Sequence, residues 1–176
     1  MKLWGWKFIN EIPRDLKKYV LIAAPHTSNF DFVLLIACFW AGSINGRYLI
    51  KSELNRFPFS LFLKFTGAVP VDRKNVDDKF VRQLKNILKG DDEVALLFTP
   101  EGTRSYVKRW KTGFYRIAFH GGYPVVGAYA DYKTKTVKAG RVFHLSGDEK
   151  KDFGAFENYY SGVVARYPEK FNKKFR

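Results

Sequence analysis

The chain has 176 residues, of which 46% are hydrophobic and 18% aromatic. This length fits one domain with a sizeable core, and the apolar content excludes a disordered chain. The formal net charge of +14 predicts an anionic partner, which could be nucleic acid, acidic lipid headgroups or a phosphorylated substrate, or else serves solubility alone.

Residues 1–9 place Trp beside Lys, as at a lipid–water boundary, although a helix packed on the core is an equal alternative. They lack the continuous apolar stretch of a signal peptide. The longest apolar stretch, 32–41, falls well short of the roughly 20 residues that a membrane-spanning helix needs. Cys38 is the single cysteine, so no internal disulfide can form and a cytoplasmic setting is expected.

Strands and helices are predicted to alternate along the chain. The apolar run 19–24 predicts a buried strand. Ser28 and Asn29 begin a helix that runs to Ala41 and is closed by Gly42. Because this helix is apolar almost all round, it should be deeply buried or pressed against lipid. Further elements are a strand at 47–50, a short aromatic helix at 58–65, the segment 68–71, a helix at 77–88 stopped by Gly90, strands at 93–98, 125–130 and 136–145, and helices at 113–119 and 149–166.

This alternation predicts an α/β fold, in which a central sheet carries helices on its faces. No repeat or linker composition divides the chain, so residues 1–176 are predicted to form a single domain. In such sheets the reacting residues collect just past the ends of strands. Two segments in that position carry reactive side chains.

The first segment places His26 at the end of a strand and Asp31 in the first turn of the next helix. A carboxylate beside one imidazole nitrogen would fix the tautomer and leave the other nitrogen free to accept a proton. The alternative is structural, because Ser28 and Asp31 have the spacing of a capping box. A metal site is not expected, since His120 and His144 lie far away in the sequence and no Cys/His cluster exists.

The second segment, 98–105, follows the clearest core strand and contains Glu101, Gly102, Thr103 and Arg104. Gly102 allows a close approach of the backbone, and Arg104 could hold a phosphate through two hydrogen bonds. The alternative is a turn stabilised by a local pair between Glu101 and Arg104.

Taken together, these motifs resemble the glycerolipid acyltransferase superfamily typified by lysophosphatidate acyltransferases. Its His-x-x-x-x-Asp motif appears at 26–31 and its Glu-Gly-Thr-Arg block at 101–104. Weaker blocks also match in order, at 51–54, 67–73, 111–114 and 123–127. The resemblance covers about residues 20–130 and implies the glycerol-3-phosphate acyltransferase-like fold, a central mixed sheet flanked by helices. It also implies a motif-bearing core at about 18–132, followed by a C-terminal strand and helix at about 133–176.

The resemblance further implies roles for individual residues. His26 resembles the general base that deprotonates an acceptor hydroxyl, and Asp31 resembles its orienting partner. The remaining positions match substrate-binding positions of the family: Lys51, Arg73, Glu101, Gly102, Thr103 and Arg104. Neither a metal nor a cofactor is implied.

The implied function is phospholipid biosynthesis, by acyl transfer from acyl-coenzyme A or acyl carrier protein to a lysophospholipid. The expected location is the inner face of the cell membrane, with the chain bound peripherally to anionic lipid. The aromatic stretch 57–65 would form a wall of the acyl groove, a membrane-facing surface, or simply core packing. Alternatives are an acceptor without phosphate, a thioesterase-like hydrolase, a catalytically silent lipid-binding relative, and a nucleic-acid-binding module, for which no basic helix or finger is present.

Overall fold

The computed structural model of the chain describes residues 2–3, 5–54, 59–71, 78–90 and 92–175. The strands are β1 (Lys2–Leu3), β2 (Trp6–Asn10), β3 (Lys18–Ala23), β4 (Gly46–Lys51), β5 (Ala68–Val71), β6 (Val94–Phe98), β7 (Val125–Asp131) and β8 (Thr136–Phe143). The helices are α1 (Asn29–Gly42), α2 (Phe59–Phe65), α3 (Asp78–Gly90), α4 (Gly113–Gly121) and α5 (Glu149–Tyr160), with single 3₁₀ turns at Ser52–Leu54 and Pro168–Lys170.

The strands form one eight-stranded sheet in the order β1-β2-β8-β7-β3-β6-β4-β5. From β7 through β3, β6 and β4 to the edge strand β5, every neighbouring pair is parallel. The β7–β8 and β1–β2 pairs are antiparallel. The predicted α/β fold, with a mixed sheet flanked by helices, is confirmed.

Strand β3 shows that both faces of the sheet are covered by helices. Its side chains alternate in direction, as in any strand, yet Tyr19, Val20, Leu21 and Ile22 are all buried. Val20 and Ile22 pack in the cluster that contains side chains of α3, α4 and α5. Tyr19 and Leu21 pack in a second cluster, which contains side chains of α1 and α2. A near-continuous apolar run is what a strand buried on both faces requires.

The N-terminal prediction of a helix packed on the core is wrong, because β2 adds to the edge of the sheet beside β8. Trp6 and Phe8 are buried and Lys7 is exposed, which is the two-residue period of a strand. Gly5, with a φ of +77°, lies between β1 and β2.

The prediction for the last helix is too long. Helix α5 ends at Tyr160 rather than at 166. Beyond it, the Val164 carbonyl accepts a hydrogen bond from the Tyr132 amide, 2.9 Å away, just past the end of β7. The chain leaves the helix because it pairs with the end of the sheet instead. Residues 163–175 then return across the molecule, and Val163, Ala165, Phe171 and Phe175 are buried in the same cluster as α4 and α5.

Helices α1 and α2 expose apolar side chains on the side away from the sheet. In α1, Trp40 is 60% exposed, whereas Leu34 and Phe39 are buried. In α2, Phe65 is 81% exposed and Leu61 and Phe62 are also exposed. Of the two alternatives predicted for α1, deep burial holds for its inner side only, and contact with lipid stays a prediction. No helix in the described part of the chain has the length and apolar character to cross a membrane.

Candidate active site

Four neighbouring strands deliver polar side chains to one edge of the sheet. Because β7, β3, β6 and β4 run parallel, their carboxyl ends meet at the same edge. Tyr132 follows the end of β7, His26 follows β3, and the loop 99–104 follows β6. Lys51 is the last residue of β4. The fold therefore brings together two motifs that lie about seventy residues apart in the sequence.

His26 and Asp31 face each other at this edge. The imidazole Nδ1 lies 3.5 Å from Asp31 Oδ2, and the Asp31 side chain is buried. With its proton on Nδ1, on the side of the carboxylate, the ring has its lone pair on Nε2. This geometry suits an imidazole that accepts a proton from a substrate at Nε2.

Asp31 also makes the capping box that the spacing allowed. Ser28 is the N-cap of α1, and its hydroxyl accepts a hydrogen bond from the Asp31 amide. In return, the Thr27 and Ser28 amides donate to Asp31 Oδ2 at 2.7 and 2.8 Å. Burial raises the pKa of Asp31, but the facing His26 imidazole and hydrogen bonds from Tyr132, Ser28 and Thr27 outweigh burial and hold the pKa below its usual value. The capping role and the contact with His26 coexist.

Glu101 supports the His26 loop from within the protein. The side chain is only 4% exposed, and its Oε1 accepts a hydrogen bond from the His26 backbone amide at 3.1 Å. Its Oε2 has no hydrogen-bond partner among the residues that the structure describes. The local pair with Arg104 that the sequence allowed is thus replaced by a contact with the neighbouring strand end. Burial raises the pKa of Glu101 to about 7, although the His26 amide opposes the shift.

This raised pKa predicts a pH-dependent stability. Because the folded state holds the Glu101 proton up to about pH 7 and the ordinary value is 4.5, the unfolded chain releases it earlier. The contribution of Glu101 to folding is therefore fully present below about pH 4.5 and is lost by about pH 7, at a cost of about 3 kcal/mol. A Glu101→Gln variant keeps the acceptor oxygen but cannot ionise. We expect urea unfolding at about pH 5 and about pH 7.5 to show a smaller pH dependence for the variant than for wild type.

The exposed Glu149 supplies the matched control, since Glu149→Gln should leave the pH dependence of stability as in wild type. An unchanged pH dependence in Glu101→Gln would contradict the assignment of the buried proton to Glu101.

A cavity of about 610 Å³ opens beside His26 and continues beneath α1. Its roof contains Leu34, Leu35, Cys38 and Phe39 of α1. Its floor is the sheet, with small side chains on neighbouring strands: Ala23, Ala128, Ala130 and Ala139. Alanines leave room that larger side chains would fill, so an apolar channel lies between helix and sheet. Burial in this wall raises the pKa of the Cys38 thiol to about 11.

The side chains at the mouth of the cavity are basic. Lys51, Arg104 and Lys111 contribute to the lining and are exposed to solvent. Gly102 has a φ of +67°, and a Cβ on it would lie 2.9 Å from Lys111 Cε. The glycine therefore lets the backbone turn close beside Lys111. Thr103 lines the same mouth, whereas Arg73 lies outside the described residues.

Comparison with known proteins shows to which family the chain belongs. The model of the Acyltransferase family matches residues 7–130, which is more than half of the chain. The chain belongs to the acyltransferase family. The match begins in β2 and ends in β7, so it spans both motif segments.

The curated relatives of this acyltransferase-family chain include bacterial enzymes. The chain is 31% identical to the "Probable 1-acyl-sn-glycerol-3-phosphate acyltransferase" of Mycoplasma pneumoniae over 69% of its own length and 48% of the relative's. It is 31% identical to the "1-acyl-sn-glycerol-3-phosphate acyltransferase" of Streptococcus pneumoniae over 54% of its length and 35% of the relative's. The protein of Mycoplasma genitalium with the same name as the first is 29% identical over 62% and 43%. The chain thus spans about half the length, or less, of these relatives.

Two residues of the site were absent from the predicted set. Lys111 follows the loop that carries Arg104, and its amide donates to the Pro100 carbonyl at 2.9 Å. It could have been found from the Lys-x-Gly block at 111–113. Tyr132 donates a hydrogen bond from its hydroxyl to Asp31 Oδ1 at 2.5 Å. Only its position after a predicted strand pointed to it.

Proposed function

We propose that the chain transfers a fatty acyl group from a thioester donor to a hydroxyl of a lysophospholipid such as 1-acylglycerol 3-phosphate. The donor would be acyl-coenzyme A or an acyl carrier protein, and no resident cofactor takes part. The single observation that carries the proposal is the His26–Asp31 pair at the mouth of an apolar channel whose rim is basic. The names of the curated relatives support the same class of reaction.

In this mechanism His26 Nε2 takes the proton of the acceptor hydroxyl as the oxygen attacks the carbonyl carbon of the thioester. Asp31 stabilises the resulting imidazolium through Nδ1–H. The tetrahedral intermediate then collapses, the C–S bond breaks, and the proton on Nε2 passes to the leaving sulfur. The products are an ester and a free thiol, and no covalent bond to the protein forms.

The binding groups are assigned by their chemistry. A phosphate of the acceptor fits the basic rim of Lys51, Arg104 and Lys111, because guanidinium and ammonium groups form charge-assisted hydrogen bonds to phosphate. The acyl chain of the donor fits the apolar channel beneath α1, since each buried methylene contributes about 0.8 kcal/mol. In this proposal Glu101 holds the His26 loop in place through its backbone amide, while Gly102 and Thr103 contribute to the binding of the acceptor.

The decisive experiment is mass spectrometry of the lipids formed when the purified chain meets acyl-coenzyme A or acyl carrier protein donors and a panel of lysolipids. We expect a diacyl product from a phosphate-bearing acceptor, and loss of that product in His26→Ala. Free fatty acid as the only product would replace the proposal with a thioesterase. Transfer to neutral acceptors only would remove the phosphate from the assignment.

A prediction about the preferred length of the acyl chain follows from the alanines on the floor of the channel. Ala128 on β7 and Ala139 on β8 lie side by side, and Ala128 precedes Tyr132 by four residues. Replacing Ala128 with Leu should fill the deep part of the channel and overpack it against α1. We expect the preferred donor to become shorter, with long-chain donors losing about tenfold in kcat/KM. Turnover of a short-chain donor is the internal control, and an equal loss for all donors would show a folding defect instead.

The proposal includes peripheral binding to the anionic inner face of the cell membrane. Leu61, Phe62 and Phe65 of α2 and Trp40 of α1 present apolar side chains on the face of the sheet that α1 covers. None of these four contributes to the lining of the cavity, so the sequence prediction of an acyl-groove wall does not apply to Leu61, Phe62 and Phe65. Phe57 lies outside the described residues. The net charge of +14 adds attraction to acidic headgroups.

Vesicle co-sedimentation tests this surface. We expect a double variant, Phe62→Ser with Phe65→Ser, to bind phosphatidylglycerol vesicles at least about tenfold more weakly than wild type, because two apolar anchors are lost. Phe119→Ser is the matched control, since Phe119 is also exposed but lies on α4, on the other face of the sheet. Equal binding by the double variant would remove α2 from the membrane surface. Activity on monomeric short-chain substrates should survive in both variants.

A further inference from the structure

We propose that Tyr132 is a positioning residue that holds the Asp31 carboxylate in the orientation needed by His26. This inference rests on the function proposed above. The residue lies outside both sequence motifs, about a hundred positions from Asp31 along the chain. Three contacts of Tyr132 support this role.

The first contact is with the carboxylate itself. The Tyr132 hydroxyl donates to Asp31 Oδ1 at 2.5 Å, and the Ser28 hydroxyl donates to the same oxygen at 2.9 Å. The other oxygen, Oδ2, faces His26 Nδ1 and accepts from the Thr27 and Ser28 amides. Every one of these donors except Tyr132 lies within five residues of Asp31 along the chain. Tyr132 is therefore the group that ties the carboxylate to a different part of the sheet.

The second contact fixes the phenol ring. The Trp6 and Tyr132 rings pack edge to face, with centroids 4.9 Å apart and an interplanar angle of 84°. Trp6 is itself buried in β2, so the phenol is held between an anchored indole and the carboxylate. A ring held on one side and hydrogen-bonded at its tip has little freedom to turn away.

The third contact is through the backbone. The Tyr132 amide donates to the Val164 carbonyl at 2.9 Å, which fixes the backbone just past the end of β7. Among the residues that the structure describes, the charged groups that act on the phenol are Asp31 and Arg166, and the Ser28 hydroxyl lies 3.5 Å away. Burial and the bond to Asp31 raise the pKa of Tyr132 to about 12. The phenol therefore remains a donor throughout the physiological pH range.

Tyr132 therefore controls the direction in which the Asp31 carboxylate points during the reaction. With Oδ1 occupied by Tyr132, rotation of the carboxylate is restrained, and Oδ2 stays toward the imidazole that becomes charged during proton transfer. The contact with His26 is long in this state, at 3.5 Å, so small rotations of Asp31 decide whether it forms a hydrogen bond. Such positioning changes the rate of the chemical step more than substrate binding.

The test removes only the hydroxyl group. We expect Tyr132→Phe to lower kcat about tenfold, the size of a lost hydrogen bond to a charged group, with KM for both substrates unchanged within about twofold. The matched control is Tyr159→Phe, which deletes a hydroxyl that donates to the Gly127 carbonyl elsewhere on β7. That control should keep the wild-type kcat. Equal kcat in Tyr132→Phe and wild type would overturn the inference.

A double-mutant cycle separates positioning from a general effect on folding. If Tyr132 acts through Asp31, then adding Tyr132→Phe to an Asp31→Asn background should change kcat less than about twofold. If instead the two losses multiply, Tyr132 acts independently of Asp31 and the inference fails.

Side-chain NMR of Asp31 gives a readout that does not require activity. The pKa of its carboxyl should rise in Tyr132→Phe, because a hydrogen bond to the ionised form is lost, and it should stay at the wild-type value in Tyr159→Phe. An unchanged pKa in Tyr132→Phe would overturn the contact. If wild type transfers no acyl group, the proposed function fails, and the NMR titration still decides whether Tyr132 stabilises the carboxylate.

Discussion

Replacing His26 with alanine is expected to lower kcat/KM for acyl transfer by about a hundred- to ten-thousandfold, the range contributed by a general base. The reason is that an alcohol is a poor nucleophile until its proton has an acceptor. The fold should survive, since the hydrogen bond from this residue to Glu101 uses the backbone amide, which alanine retains. Initial rates at saturating donor and varied acceptor measure the effect.

His144→Ala is the matched control, because His144 is exposed and is not among the residues that line the cavity. It should keep the wild-type rate and unfolding temperature. Equal turnover by wild type and His26→Ala would remove His26 from the mechanism. A large fall in unfolding temperature in His26→Ala would instead assign the loss of activity to the fold.

Truncating Phe175 to alanine is expected to destabilise the protein by about 3–5 kcal/mol, the usual cost of removing a buried phenylalanine ring. The ring is 1% exposed and stacks on Trp110, with centroids 3.5 Å apart and an interplanar angle of 2°. The backbone carbonyl of Phe175 accepts a hydrogen bond from the Trp110 amide. Because Trp110 precedes Lys111, the C-terminal segment supports one side of the basic rim.

Urea unfolding at neutral pH measures this loss of stability. The thermal unfolding temperature should fall by about 10 °C. The matched control is Phe65→Ala, since Phe65 is almost fully exposed and should change stability by less than about 0.5 kcal/mol. A Phe175→Ala variant as stable as wild type would mean that the C-terminal segment does not contribute to the core.

Most elements of the fold could be predicted from local patterns. The strand at 19–24 was correct within one residue, as β3, because an apolar run bounded by Pro25 has few other interpretations. The first helix was correct because Ser28 and Asp31 form a real capping box. The predicted end of α5 was wrong, because the backbones of Val164 and Tyr167 beyond it form hydrogen bonds with Tyr132 and Thr27 instead. These partners are distant in sequence, so local periodicity does not reveal them.

The candidate site was predictable where its residues are close together in sequence. The spacing of His26 and Asp31 allowed both the capping box and the side-chain contact, and the structure contains both. The alternative for the second segment, a local pair of Glu101 with Arg104, was not what formed. Glu101 instead lies buried against the His26 amide, because β3 and β6 are neighbours in the sheet.

The amino-acid sequence by itself determined most of the strands and helices, with β2 and the end of α5 as exceptions, and it determined which of their ends carry reactive side chains. Apolar periodicity, capping residues and glycines act within a few residues of the chain, so they can be read locally. Only the tertiary structure decided that the ends of β7, β3, β6 and β4 lie side by side, which joins Tyr132 to Asp31 and Glu101 to His26. Strand order depends on backbone pairing and packing between distant segments, and no local pattern encodes it.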